Sequence, residues 1–257
     1  MKNFNYVKNP NLPENKVSYV IMSDYKPEFI KELESFEIKT IIPDKLDGIL
    51  GAEAYHADMT VCHIDENKFI TAKNNKTLTE KLCSINAEVT ESIEAVSGTY
   101  PKITSLNVCI FGNNLICNTK FTDKNIIDIC RENKFRIFHT NQGYTKCSSV
   151  VISSNAIITA DESIYKLCRE NKIDVLKIFP GDIILDGYDY GFIGGTCGFI
   201  DKNTLAFSGN IKLHKNYYDI RNFVQNYGVD LLSLSNDKLY DIGGILPIIE
   251  KTDCTES

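Results

Sequence analysis

The sequence predicts an α/β protein built of five ββαβ units that follow one another and close on themselves. Three observations carry that expectation. The run Cys130-Arg131-Glu132-Asn133-Lys134 returns as Cys168-Arg169-Glu170-Asn171-Lys172, and each copy closes an amphipathic stretch and leads into a β-rich one. Like segments begin near 56, 102, 143, 191 and 241, the spacing of stacked supersecondary units rather than of one unrepeated fold. The last segment lacks a helix and an outer strand, whereas the N-terminal segment holds a helix and two strands to spare.

The N-terminal pieces read as a strand at 17–23, a helix at 27–36 and a strand at 38–42. The first unit follows as a strand at 56–64, a turn at Asp65-Glu66-Asn67, a strand at 68–72 and a helix at 78–85. The second has a strand at 105–111, a Gly112-Asn113-Asn114 turn, a strand at 115–119 and a helix at 123–133. The third is the clearest: a β-branched run at 148–152, a Ser153-Ser154-Asn155 turn and a second run at 156–160. Its helix at 161–171 places Ile164, Leu167 and Cys168 on one face, with Asp161 able to accept the free N–H groups of the first turn, before a closing strand at 174–179. The fourth unit has strands at 195–200 and 204–208 around Asp201-Lys202-Asn203, a helix at 216–227 and a strand at 229–233. The fifth begins at Asp241-Ile242-Gly243-Gly244 with a run at 245–249, which the N-terminal segment completes. The expected architecture is therefore a single domain over 1–257, a five-bladed α/β propeller with pseudo-five-fold symmetry and loose termini.

Composition narrows the function. The chain has 257 residues and a net charge of −6 with its basic residues dispersed, which argues against a nucleic-acid binder. No apolar run reaches membrane-spanning length, and Met1-Lys2-Asn3-Phe4 opens no signal-peptide core, so no membrane partner and a cytoplasmic location are expected. The nine cysteines, several inside apolar runs, suit a reducing compartment rather than a disulfide framework. Neither CxxC nor HxxxH spacing occurs, so no metal and no cofactor are expected, and the partner is a small-molecule substrate. Oligomeric state is left open.

A ring of such units brings the start of each inner strand to one axis, so chemistry belongs at the unit starts. One start holds His56-Ala57-Asp58 and another Thr145-Lys146-Cys147-Ser148. A cysteine attacks as thiolate, and a histidine beside it supplies base and then acid. Gly194-Gly195 and Gly243-Gly244 mark close backbone approach rather than a phosphate cradle, because no P-loop or GxGxxG pattern follows. His63, His139 and His214 have no partner motif.

These residues resemble the guanidino-group-modifying enzymes, the pentein superfamily, whose fold is a five-fold ring of ββαβ units. His56-Ala57-Asp58 is similar to that superfamily's His-x-Asp motif. The segment 56–72 and the run Thr145-Lys146-Cys147-Ser148-Ser149-Val150-Val151-Ile152 resemble the histidine and nucleophile segments of the dimethylarginine dimethylaminohydrolases, with the unit order circularly shifted. The resemblance implies a Cys/His-dependent hydrolase or amidinotransferase acting on a guanidino or amidino compound. Cys147 would be the nucleophile and His56 the acid/base, with Asp58 gripping the substrate. The superfamily's acidic substrate contacts fall in the fourth unit, where this chain has Gly194-Gly195-Thr196-Cys197-Gly198. Asp186, Asp189 and Asp241 are the carboxylates left to join Asp58, with Cys197 beside them. The pair His56/Cys147 also implies a thiol activated by a neighbouring imidazolium, alkylated ahead of the other cysteines. The rival expectation is a non-catalytic binding ring, since the ribosome anti-association factor has this fold without that chemistry.

Overall fold

A computed structural model describes residues 4–252. Five α-helices occur among them: α1 (Pro27–Ser35), α2 (Lys76–Ser84), α3 (Lys124–Glu132), α4 (Glu162–Glu170) and α5 (Tyr217–Gln225). Each has nine residues and crosses between two parallel strands, which cannot be joined by a tight turn.

In the first unit, Val61–Asp65 pairs antiparallel with Lys68–Thr71, which pairs parallel with Glu88–Glu91 across α2. The second unit repeats this with Cys109–Phe111, Asn114–Cys117 and Arg136–His139. The third uses Ser149–Ser153, Ala156–Thr159 and Asp174–Lys177, and the fourth Cys197–Phe199, Thr204–Phe207 and Asp230–Ser233. In the fifth, Leu246–Lys251 pairs antiparallel with Val17–Ile21, which pairs parallel with Lys39–Ile41 across α1. The N-terminal segment thus completes the unit that the C-terminal run begins.

Local chemistry explains the helix ends. The carboxylates of Asp123 and Asp161 cap α3 and α4, and Asn75 caps α2 by accepting from the Leu78 N–H. That cap starts α2 two residues before the apolar periodicity becomes visible at Leu78. The repeated Cys-Arg-Glu-Asn-Lys run is a helix stop. Cys130 and Cys168 are buried, and the Asn133 and Asn171 amides donate back to the Ile129 and Leu167 carbonyls, each at 2.8 Å. Lys134 and Lys172 turn the chain at φ of 60° and 58°, and the N–H of the next residue returns to the cysteine carbonyl.

The core is divided among five apolar clusters, each shared by two successive units. Cys62 and Ile70 meet Leu115 and Ile126; Phe111 and Ile116 meet Ile157 and Ile164; Val150 and Ile158 meet Leu205 and Ile220. Ala206 meets Val17 and Phe29, and Ile21 and Ile248 of the fifth unit meet Val61 and Phe69 of the first. Two features depart from expectation. Of the termini expected to be loose, residues 1–3 and 253–257 lie outside the described ones, but Phe4–Tyr6 pairs antiparallel with Leu246–Lys251 and adds a fourth strand to the fifth unit. A short parallel bridge joins Ile183–Ile184 to Leu239–Tyr240, linking the segments that precede the fourth and fifth strand pairs. Among the described residues no helix is long and apolar enough to cross a membrane.

Candidate active site

Four of the unit starts deliver side chains to a buried cluster: His56 and Asp58 from the first, Asn107 from the second, Cys147 from the third and Asp241 from the fifth. His56 stands between two short 3-10 turns, Ala52–Tyr55 and Ala57–Met59, and Asp58 lies in the second, just before the strand Val61–Asp65. The Asp58 N–H donates to the Gly243 carbonyl at 3.2 Å, which ties the first start to the fifth. Cys147 precedes Ser149–Ser153 in a turn held by Asn107: the N–H groups of Lys146 and Cys147 both donate to Asn107 Oδ1, at 3.0 and 3.2 Å. Thr145 closes the same turn by donating to the Asn107 and Ile116 carbonyls.

The fold brings His56, Asp58 and Cys147 together, although the last two are 89 residues apart. The Cys147 thiol donates to Asp58 Oδ2 at 2.8 Å and accepts from Asn107 Nδ2 at 3.0 Å. His56 Nδ1 is 3.8 Å from Asp241 Oδ1, and Asp241 is anchored by the N–H groups of Phe192 (2.8 Å) and Gly243 (3.1 Å). His56 Nε2 and Asp58 Oδ1 are buried without a hydrogen-bond partner. The side chains of His56, Asp58, Cys147 and Asp241 are at most 3% exposed.

Burial controls the protonation states. It raises the Asp58 carboxyl to about 6, against the opposing pull of nearby His56 and Lys146. Burial, then the charges of Asp58 and Asp241, pushes the Cys147 thiol well up, with only the Asn107 hydrogen bond opposing. The expectation of a thiol activated at rest is therefore corrected: desolvation and two carboxylates hold the resting group as a thiol donating to Asp58. The expectation of fastest alkylation falls with it, because Cys83 is the exposed thiol among the described residues; Cys254 lies outside them.

The other expected site residues divide. Asp241 joins the cluster. Asp186 is exposed and accepts from the Tyr25 hydroxyl at 2.7 Å, and Asp189 is exposed in the wall of a neighbouring cavity. Cys197 faces the Ile193 carbonyl at 3.6 Å in apolar packing, its thiol raised to about 12 by burial. The glycines of the fourth unit make room. A Cβ on Gly195 would fall on the Asp241 carboxylate, and one on Gly194 on the carbonyls of Lys146, Cys147 and Ser149. The fifth unit's carboxylate thus fills the space where the fourth has none.

Sequence reasoning missed Asn107, which is fully buried. A signal existed: it stands two residues before Cys109–Phe111, as Cys147 stands two before Ser149–Ser153. It also missed Glu53, for which no motif speaks. Glu53 lines a cavity of about 720 Å³ whose walls include Tyr100, Tyr144, Tyr188 and Phe192. Glu53, Tyr144 and Phe192 belong both to this wall and to the surroundings of the cluster. The His56 N–H donates to the Glu53 carbonyl at 3.1 Å, Phe192 holds Asp241, and the Tyr144 carbonyl accepts from the Ser148 N–H at 2.9 Å across the turn that carries Cys147. A second recess, of about 30 Å³, is lined by Asp58 and Lys146 among others. His56, Asp58 and Cys147 offer one nitrogen, one oxygen and one sulfur within 4.8 Å of one another, a donor set that zinc accepts.

A family model described as a family of unknown function, DUF6873, matches residues 20–246. No curated protein matches the chain. Among solved structures, the agmatine deiminase of C. jejuni is 13% identical, with 91% of this chain and 92% of that one covered and a TM-score of 0.54. SxtG, an amidinotransferase of Microseira wollei in the saxitoxin biosynthetic pathway, is 12% identical over 89% and 91% of the two chains, with a TM-score of 0.52. DDAH from Pseudomonas aeruginosa, complexed with citrulline, is 11% identical over 92% and 99%, with a TM-score of 0.52. At such identities the likeness is one of fold: the chain has the fold of the guanidino-group-modifying, or pentein, enzymes.

Proposed function

We propose that this chain, which belongs to the family of unknown function DUF6873, is a Cys/His-dependent enzyme acting on the amidino carbon of a guanidine or amidine. The observation that carries the reading is the convergence of Cys147, His56, Asp58 and Asp241 in one buried cluster beside a cavity. The five units and their shared apolar clusters support its setting, a single-domain five-bladed propeller of pseudo-five-fold symmetry with the site on its axis. The substrate is a small molecule, the compartment a reducing cytoplasm, and the chemistry needs no cofactor.

The steps follow from the contacts. A planar cation entering between Asp58 and Asp241 is held by charge-assisted hydrogen bonds. Its positive charge favours the thiolate, and the Cys147 proton passes to Asp58, its hydrogen-bond partner at 2.8 Å. The sulfur pair forms a C–S bond and a tetrahedral carbon, with Asn107 orienting the sulfur. The C–N bond then breaks, its electron pair leaving with the nitrogen, which takes a proton from the His56 imidazolium beside Asp241. Neutral His56 next removes a proton from water or an acceptor amine, which attacks the same carbon. The C–S bond breaks, its electron pair returns to the sulfur, and Asp58 gives the proton back to it across the same hydrogen bond, while a urea product formed by water sheds its extra proton to solvent. Water makes the enzyme a hydrolase; an amine makes it an amidinotransferase.

A second reading rests on a specific observation: the cluster is sealed, and its thiol is protonated at rest. In that case the ring binds without reacting, and the cluster is a polar hub between units. One experiment separates the two. The protein is incubated with a broad panel of guanidines and amidines, with and without acceptor amines, and separately with 2-chloroacetamidine. Release of ammonia or an alkylamine, or amidino transfer, together with a chloroacetamidine adduct on Cys147, supports the enzyme. No turnover and no adduct would overturn it in favour of the binding ring.

A further inference from the structure

The cavity beside the cluster is uneven in charge. Its ionisable acids are Glu53 and Asp189, and none of its lining residues is a lysine, arginine or histidine. Glu53 is 8% exposed, yet it lines the cavity, and its carboxylate meets Tyr188, another lining residue. The Tyr188 hydroxyl donates to Glu53 Oε2 at 2.5 Å from a segment 135 residues away, and the nearby Glu53 carboxylate adds to burial in raising the Tyr144 phenol. Tyr144 in turn stacks on Tyr100, with ring centroids 5.4 Å apart, and packs against Phe192 at 5.7 Å. A buried carboxylate walled by aromatic rings attracts a cation twice, through its charge and through the negative faces of the rings. The same surroundings repel a carboxylate, which would meet Glu53 and Asp189 with no cationic side chain to receive it.

We infer that the cavity selects amidino substrates whose tail ends in a cation and rejects those whose tail carries a carboxylate, with Glu53 as the specificity-determining residue. This rests on the amidino chemistry proposed above and extends it to the rest of the substrate. The amidino carbon would lie at Cys147, and the tail would run out past Tyr144 toward Glu53. Asp189, being exposed at the wall, favours the same sign of charge. A free amino acid with a guanidino side chain is thereby a poor substrate, and its decarboxylated counterpart a good one.

The test is calorimetric binding, which needs no turnover. Three alkylguanidines of equal chain length are compared: one ending in an ammonium, one in a methyl and one in a carboxylate. All are titrated into the unaltered protein and into Cys147→Ala. The ammonium compound should bind at least about 10-fold tighter than the methyl compound, and the carboxylate compound at least about 10-fold weaker than the methyl one. Glu53→Gln should shrink the ammonium-to-methyl ratio to about 3-fold or less. Equal binding of all three, preference for the carboxylate, no binding of any, or a ratio unmoved in Glu53→Gln would each overturn the inference. The ligand order on the unaltered protein decides alone if Glu53→Gln does not fold. Binding in the expected order without turnover would uphold the tail preference while the chemistry fails, so the two outcomes are distinguishable.

Discussion

The starts of the third and fourth units occupy neighbouring places, and each holds a buried cysteine, yet they do opposite things. Cys147 meets Asp58 and Asn107, two polar partners from two other units. Cys197 meets the Ile193 carbonyl of its own unit and otherwise lies among apolar side chains. Burial raises both thiols, so desolvation does not distinguish them. What differs is the company: only the third start points its sulfur at groups able to take a proton and orient an attack. The fourth start contributes emptiness instead. Its glycines admit Asp241 and the turn carrying Cys147 at distances that any Cβ would block. The comparison teaches that a unit can serve a site by what it leaves out.

The sharpest break of that comparison is to remove each sulfur. Cys147→Ala should lower turnover of a guanidine or amidine substrate by at least about 10³-fold, whereas Cys197→Ala should change it by less than about 3-fold and act on stability alone. Steady-state kinetics with a thermal melt of each variant checks this. An equal effect of the two would dissolve the distinction between the starts.

The glycines come next. Gly194→Ala drives a Cβ onto backbone carbonyls, including that of Cys147 at 2.7 Å, and backbone cannot swing aside. We expect a loss of about 3 kcal/mol or more. Gly143→Ala in the third unit meets side-chain atoms of Thr104 and Tyr100, at 2.8 and 2.9 Å, and should cost about 1 kcal/mol. Denaturant unfolding of both variants measures the difference, and a reversed order would refute the crowding argument.

A smaller effect tests the protonation of the third start's partner. Asp58 has a folded pKa of about 6 against an ordinary 3.8, so the folded state binds more protons between those values. Stability from this group is complete below about pH 4 and is lost as pH rises through about 6. The loss is on the order of 3 kcal/mol at most. Asp58→Asn cannot titrate, so the stability of the unaltered protein relative to that variant should fall between pH 4 and 6 and then level off. A flat difference across that window would mean that the carboxylate is ionised throughout.

The smallest effect is in labelling. Brief iodoacetamide treatment, followed by peptide mapping, should modify Cys83 ahead of both Cys147 and Cys197, because it is the exposed thiol among the described residues. Cys147 should separate from Cys197 only with 2-chloroacetamidine, whose charge suits Asp58 and Asp241. Equal labelling of those two by the amidine would place no cation site at the third start.

What the sequence by itself determined is the repeating frame. Strand pairs, turns and helices are set by contacts a few residues apart, so alternation, capping carboxylates and the Cys-Arg-Glu-Asn-Lys stop could be read directly. The helices ended within a few residues of expectation, and His56, Asp58 and Cys147 stood out because motif and unit position agreed. The parallel bridge at Ile183–Ile184 and the terminal strand Phe4–Tyr6 could not be read, since a two- or three-residue strand exists only through its distant partner. Nor could the place of Asn107, the choice of Asp241 over Asp186, or the position of Glu53 in the cavity lining. Only the tertiary structure decided these, because each depends on which chains approach closely at the meeting of the units. There a missing Cβ in the fourth unit, the reach of a side chain from the fifth, and removal from water set the chemistry, and none of these leaves a local pattern in the chain.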